Sequence, residues 1–242
     1  MELFNGSDIS ASRLIEAEKI IIEDIKDIED MIDKLDEISP NARDNALHAL
    51  LYGYSEYNPA NPPIKAIRNF VQKILSVLAN TENPASEESR CLAEKLRTDR
   101  LDPDTEQVQA AAYKVVREFD RLRGLLRFKP DTEGLYSAYC VPDHFVLPLL
   151  ADHFWQRFGK TSWAIIDEKR KIVLSGKNGN IPVLQLFGLS NMEHKERKKS
   201  NTDEWEGLWK NYHRSINNEN RTNPQLQKQF MPRRYWKYLT EL

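Results

Sequence analysis

The chain has 242 residues, of which 40% are hydrophobic, and this is enough for one large domain or two modest ones with a real core. No run approaches the roughly 18 consecutive apolar residues of a membrane span, and the N-terminus lacks the pattern of a signal peptide. We therefore expect a cytoplasmic protein without membrane association. Cys91 and Cys140 lie far apart without a CxxC pattern, which predicts neither a zinc ribbon nor a disulfide framework.

The formal net charge of -2 argues against a uniformly basic nucleic-acid-binding domain, but the charges are unevenly distributed. Residues 1–40 carry 4 Lys/Arg against 12 Asp/Glu, whereas residues 193–242 carry 11 against 7. This asymmetry predicts an acidic surface near one end of the sequence and a basic surface near the other.

The N-terminal part, residues 1–104, is predicted to be all helical. An acidic helix from Ser10 to Ile38 carries one narrow apolar stripe, formed by Ile21, Ile25, Ile28, Ile32 and Leu35. Such a stripe suits packing within the chain or on a partner, and its shortness favours the chain's own bundle. Further helices are expected at 42–54 and 64–78, with a short one between the turn-forming segments 80–89 and 99–104.

The pattern changes at Thr105, so residues 105–242 are predicted to form an α+β domain. A helix runs to Leu122 and is stopped by Gly124. Residues 125–128, 135–141, 162–167 and 171–175 then follow the period of two that is typical of strands, with a helix from Asp143 to Phe158 between the two pairs. The order ββαββ predicts a small antiparallel sheet with a helix on one face, and 181–187 is expected to add an edge strand.

Packed helices are predicted after the sheet. Trp205, Leu208, Trp209 and Tyr212 share one helical face, and we expect this face to be buried because it is large and apolar. Asn223-Pro224 and Pro232 are suited to starting two short helices.

The C-terminal tail, residues 221–242, reads RTNPQLQKQFMPRRYWKYLTEL and interleaves cations with aromatic residues. The cations can neutralise phosphates and the rings can stack on bases, which is typical of nucleic-acid binding. The alternative is that Phe230, Trp236 and Leu239 fasten a helix to the core while the cations remain in water.

No catalytic or metal site follows from local motifs. His144 and His153 are nine residues apart on a helix, which places them on opposite sides, and the pair Asp143 and Asp152 has the same spacing. We therefore expect neither a bound metal nor a cofactor. Cys140 and His144 are weak catalytic candidates, because a buried, inert thiol is the more common situation.

Arginines are better candidates for contacts with phosphate, because the guanidinium group binds it in a bidentate manner. The candidate nucleic-acid-binding residues are Arg123, Arg127, Arg157, Arg221, Arg233, Arg234, Tyr235 and Lys237. Taken singly, each arginine is an ordinary surface cation or ion-pair partner, so the hypothesis depends on their lying on one face.

The C-terminal part also resembles a known family. The segments REFDRLRGLLRF (117–128), PDH (142–144), HFWQRF (153–158), LWKNYHRSI (208–216) and NPQLQKQFMPRRYWKYLTE (223–241) look like those of a family of bacterial DNA metabolism proteins. Members are typically encoded beside a radical SAM protein thought to modify or repair DNA, and the domain also occurs fused to uracil-DNA-glycosylase-like domains. The resemblance implies a role in DNA metabolism, with DNA and the radical SAM protein as partners, and implies no particular reaction.

The sequence as a whole favours a nucleic-acid-binding accessory protein of a DNA modification or repair system. One alternative is an enzyme that acts on DNA or a damaged nucleotide, with His144 as acid or base and the arginines as phosphate clamps. Another is a protein-interaction module that uses the acidic helix.

Overall fold

The computed structural model describes residues 19–52, 63–80, 83, 86–131, 134–186, 202–218 and 221–239. The side chains of 19–26, 52, 78–79 and 202–205 lie outside this description, as do residues 10–18 of the predicted acidic helix. In the described part, no helix is both long and apolar enough to cross a membrane.

The described residues form two compact units. The helical unit comprises those before Phe119 together with Asp143–Val146, and the sheet unit comprises Phe119–Pro142 together with those from Leu147 onward. The division falls inside the long helix that begins at Pro103.

Helices make up the helical unit, as predicted. They are α1 (Lys19–Lys34), α2 (Pro40–Tyr52), α3 (Ile64–Ala79), α4 (Glu87–Thr98) and the start of α5 (Pro103–Leu125), with a 3-10 turn at Leu35–Glu37. Side-chain caps set several of these boundaries. Ser39 Oγ accepts from Ala42 N, Ser86 Oγ accepts from Ser89 N, and Asp102 Oδ2 accepts from Thr105 N.

The acidic helix contributes its apolar stripe to its own bundle. Ile28, Ile32 and Leu35 are at most 1% exposed and pack in one core with residues of α2 and α3, including Ile67, Phe70 and Ile74. The described part of the stripe is therefore buried in the core of the chain's own helical bundle. Ile21 and Ile25 belong to the side chains outside the description.

The sheet unit contains the strands β1 (Lys129–Pro130), β2 (Tyr136–Cys140), β3 (Trp163–Asp167), β4 (Ile172–Gly176) and β5 (Val183–Leu186), in the spatial order β1-β2-β3-β4-β5. The α+β class is confirmed, and β5 is an edge strand as predicted. The sheet is mixed, however, because β2 and β3 run parallel. Helix α6 (Leu147–Phe158) connects these two strands, and a helical crossover returns the chain in the direction in which it left.

Two other boundaries differ from the prediction. Residues 125–128 were expected to be a strand, but α5 continues to Leu125, since the buried Leu122 and Leu126 extend its apolar face with helical spacing. The helix expected from Asp143 begins only at Leu147. The backbone N–H groups of Asp143 and His144 are bound by the buried Glu118 carboxylate, which holds this segment as a loop.

The central strand explains the core of the sheet unit. Every residue of β3 is buried, and Trp163 packs against Phe154 and Phe158 of α6 with ring centroids 6.0 Å apart in both pairs. Gly176 lies opposite Trp163 in β4, and a Cβ at this position would come within 2.5 Å of the indole Nε1. Only glycine therefore leaves room for the indole.

Three helices follow the sheet, at the positions that the sequence predicts. They are α7 (Thr202–Ile216), α8 (Pro224–Phe230) and the single-turn α9 (Arg233–Trp236). Asn223 caps α8 by accepting from Leu226 N at 3.0 Å, and Pro232 precedes α9.

Candidate nucleic-acid interface

Arg123 and Arg157 act on the same histidine in the sheet unit. Arg123 lies in the last turn of α5, whereas Arg157 lies in the last turn of α6, one turn beyond His153. Burial lowers the pKa of His153, and the positive charges of Arg123 and Arg157 lower this pKa further. At neutral pH the imidazole is therefore uncharged, and the two arginines whose charges act on it are both exposed.

The surroundings of His153 leave the site positively charged. Its Nε2 is buried and has no hydrogen-bond partner among the described residues, and its ring meets Phe154 edge-on at 4.8 Å. Arg123 lies 5.3 Å from the Phe119 ring and 3.6 Å from Asp120, which lies one turn back on the same helix. The guanidinium groups of Arg123 and Arg157, together with an uncharged imidazole, are suited to binding an anion such as a phosphate group.

The arginines of the tail that were predicted to bind nucleic acid differ in their exposure. The Arg233 guanidinium is exposed, 5.7 Å from the Trp236 ring centroid, and Arg221 is exposed just before α8. Arg234 is half-buried, with its guanidinium 4.8 Å from the Tyr235 ring. Arg233 and Arg221 are thus the tail arginines that lie most openly at the surface.

Tyr235 is a core residue, which corrects its proposed role in the interface. Its side chain is only 2% exposed, and Leu239, one turn later, is 5% exposed. A ring at this depth cannot stack on a base while the tail remains folded. Burial of Leu239 agrees with the prediction that apolar residues fasten the tail, although Phe230 is 56% exposed and does not share this role.

Lys237 and Tyr238 are bound to one carboxylate. Lys237 Nζ lies 3.0 Å from Glu168 Oε2, and the Tyr238 hydroxyl donates to the same oxygen. Burial acts to raise the pKa of Glu168, but the hydrogen bonds from Tyr238 and Lys237, together with the charges of Lys237 and Lys171, outweigh it and lower this pKa. The pKa of Tyr238 is raised by burial and by the Glu168 carboxylate. Lys237 is therefore an anchor of the tail as well as a candidate phosphate contact.

Two more arginines serve the structure of the sheet unit. Arg127 Nη1 donates to Gly124 O at 2.7 Å, which satisfies a carbonyl at the C-terminal end of α5. Arg121 was not singled out in the sequence, yet its Nη2 donates to Gln229 O at 3.0 Å and joins α5 to α8. This contact lies two residues from Arg123 and connects the tail to the helix that carries that arginine.

The two weak catalytic candidates gain no support. Cys140 is fully buried, and its thiol donates to Ile166 O at 3.5 Å, as in an inert core cysteine. His144 belongs to the helical unit, where its backbone N–H donates to Glu118 Oε2 at 2.7 Å. The described residues contain no group of three or more His, Cys, Asp or Glu side chains that could hold a metal ion.

Sequence reasoning missed two features of the sheet unit. His153 was considered only as a possible metal ligand, and its placement next to Arg123 depends on contacts between helices that are distant in sequence. The face of α7 was expected to be buried, but Leu208 and Trp209 are 59% and 42% exposed and Tyr212 is 54% exposed. The sequence could have indicated only that Arg157 lies near His153, because residues four apart on a helix are neighbours.

Comparisons with known proteins identify a family. The profile of the family DUF4130, described as a domain of unknown function, matches residues 74–241, and the chain belongs to this family. Neither a search of curated proteins nor a search of solved structures found a match.

Proposed function

We propose that this member of the DUF4130 family is a nucleic-acid-binding accessory protein of a DNA modification or repair system. The observation that carries the proposal is that two exposed arginines from different helices, Arg123 and Arg157, both lower the pKa of His153 through their positive charges. The genomic context implied by the sequence resemblance supplies the link to DNA and to a radical SAM protein as a partner. In this proposal, the protein delivers or holds the nucleic acid and the partner performs the chemistry.

The charge distribution near the C-terminus also supports the proposal. Residues 207–239 carry seven Lys/Arg and a single acidic residue, Glu219. Phosphate contacts from such a region supply affinity without base specificity, because the phosphates are the same in every sequence. We therefore expect binding that depends strongly on salt and weakly on sequence.

The test is the salt dependence of binding to a DNA oligonucleotide. The double variant Arg123→Ala/Arg157→Ala should bind more weakly, and its slope of log K against log[salt] should be smaller by roughly 1.4 to 1.8, because each lost phosphate contact removes about 0.7 to 0.9. The control is Arg90→Ala/Arg100→Ala, which removes the same charge from two exposed positions of the helical unit.

Two outcomes would count against the proposal. A parent protein that fails to bind single- and double-stranded DNA at low salt would exclude direct nucleic-acid binding. Equal loss of slope in the two double variants would show that only total charge matters, and that the arrangement around His153 is not a phosphate site.

A further inference from the structure

Trp155 presents an exposed ring near the end of helix α6. Its side chain is 38% exposed, whereas Phe154 and Phe158 of the same helix pack against the sheet. The indole Nε1 donates to Gly179 O, 2.8 Å away, in the turn between β4 and β5. This N–H is the only polar group of the side chain, so the part of the ring that remains in water offers a flat aromatic surface. The hydrogen bond also fixes the orientation of that surface.

Two exposed lysines flank the glycine that binds the indole. Lys177 lies two residues before Gly179 in the same turn, which is closed by the hydrogen bond from Asn180 N to Lys177 O at 3.0 Å. Lys160 follows the end of α6, and its Cγ would lie 3.8 Å from a Cβ placed on Gly179. The Trp155 ring and these two lysines, named here the Trp155 surface, are therefore held together by one turn.

The segments that build the Trp155 surface carry positive charge. Residues 153–166 contain two Lys/Arg and no Asp or Glu, and residues 169–186 contain four Lys/Arg and no Asp or Glu. Asp152 lies one turn before Trp155, away from the end of α6 that Lys160 follows. Cations around an exposed ring are complementary to a single-stranded nucleic acid, which offers phosphates together with unpaired bases.

We propose that the Trp155 surface binds single-stranded DNA, with one unpaired base stacked on the ring and the neighbouring phosphates at Lys160 and Lys177. In a duplex the bases are already stacked and paired, so their flat faces are closed to an indole. Stacking tolerates any sequence, because every base has an aromatic face. The inference rests on the proposed nucleic-acid-binding function and adds the strand state of the ligand.

The Trp155 surface is separate from the arginine site. Trp155 is two residues from both His153 and Arg157, or about 200° around α6, and so lies on the other side of the helix. Variants of the two sites can therefore be interpreted separately.

The test measures binding of a fluorescent oligothymidylate and of a duplex of the same length, by anisotropy at low salt. Trp155→Ala should weaken binding of the single strand roughly 5- to 150-fold, as expected for the loss of one stacked base, and should leave duplex binding within about twofold. Trp155→Phe should retain most of the single-strand affinity, because it keeps a ring and removes only the bond to Gly179. Tyr139→Ala is the control, since it removes a ring that is 37% exposed on β2, and it should change neither affinity.

The lysines give a second measurement that does not depend on how well Trp155→Ala folds. Lys160→Ala/Lys177→Ala should lower the slope of log K against log[salt] for the single strand by roughly 1.4, because each phosphate contact on a single strand contributes about 0.7. Lys65→Ala/Lys95→Ala, which removes two exposed lysines of the helical unit, should lower it less.

Four results would overturn the inference. Trp155→Ala could bind the single strand as well as the parent, it could lose duplex binding equally, or Trp155→Phe could lose as much as Trp155→Ala. Equal slopes for the two lysine variants would also contradict it. The proposed function survives each of these results if Arg123→Ala/Arg157→Ala still weakens DNA binding, whereas a parent that binds neither form of DNA removes both proposals.

Discussion

Helix α7 and the end of the tail are both rich in aromatic residues and have opposite surroundings. Tyr212 of α7 is 54% exposed, whereas Tyr235 of the tail is 2% exposed. The tail is held by several contacts with the rest of the sheet unit, including those of Lys237 and Tyr238 with Glu168. Helix α7 is joined to the unit by the ion pair between Glu206 and Lys129. Burial is thus decided by what the neighbouring elements offer and not by the segment's own composition.

The largest expected contrast is between truncations of these two tyrosines. Tyr235→Ala should lower the free energy of unfolding by about 3–5 kcal/mol, because it leaves a cavity in a closed core. Tyr212→Ala should change it by less than about 1 kcal/mol, since the ring is largely in water and loses mainly its contact with Trp209. Denaturant titration of both variants measures the difference. Similar losses would show that α7 is buried in solution, as the sequence pattern suggested.

A buried carboxylate of the sheet and the carboxylate that attaches α7 should differ as well. Asp167 is fully buried next to Glu168, and it accepts from Lys169 N, from Arg170 N and, at 2.8 Å, from Arg170 Nη1. Asp167→Ala should destabilise by about 3 kcal/mol or more, because it removes the carboxylate that pairs with the buried Arg170 guanidinium.

Glu206→Ala is the counterpart in α7 and should cost about 1 kcal/mol or less, since the Glu206 and Lys129 side chains are 26% and 34% exposed. Comparing the two denaturant midpoints tests this contrast. A loss at Glu206 as large as that at Asp167 would contradict the view that α7 is only lightly attached.

The parts of the fold that depend on neighbouring residues could be predicted from the sequence. Asn223-Pro224 set the start of α8 because a cap acts within a single turn. The parallel pairing of β2 with β3 was missed, although a helix between two strands is the usual connection of a parallel pair. That these two strands are neighbours in the sheet depends on contacts between distant segments. The same reason explains why the placement of His153 near Arg123 and the exposure of α7 could not be predicted. Helical spacing shows that Leu208 and Tyr212 share a face, but it does not show whether another element covers that face.

The smallest predicted effect concerns the Tyr238 hydroxyl. Tyr238→Phe should cost about 1 kcal/mol near neutral pH, at the low end for a hydrogen bond to a charged group, because the Glu168 side chain is 34% exposed. Tyr212→Phe, on the exposed helix, is the matched control and should cost nothing measurable.

The effect of Tyr238→Phe should also depend on pH. The pKa of Glu168 is lowered in the folded protein, so the carboxylate contributes stability above its unfolded pKa of about 4.3, and this contribution is lost as pH falls through the lower folded value. Without the Tyr238 hydroxyl the folded pKa rises, so the gap in unfolding free energy between parent and variant should be constant from about pH 6 to 8 and should close as pH falls below about 4. A gap that persists unchanged to low pH would mean that the Tyr238 hydroxyl stabilises the tail independently of the Glu168 charge, and would remove Glu168 as the residue that distinguishes the attached tail from the exposed helix.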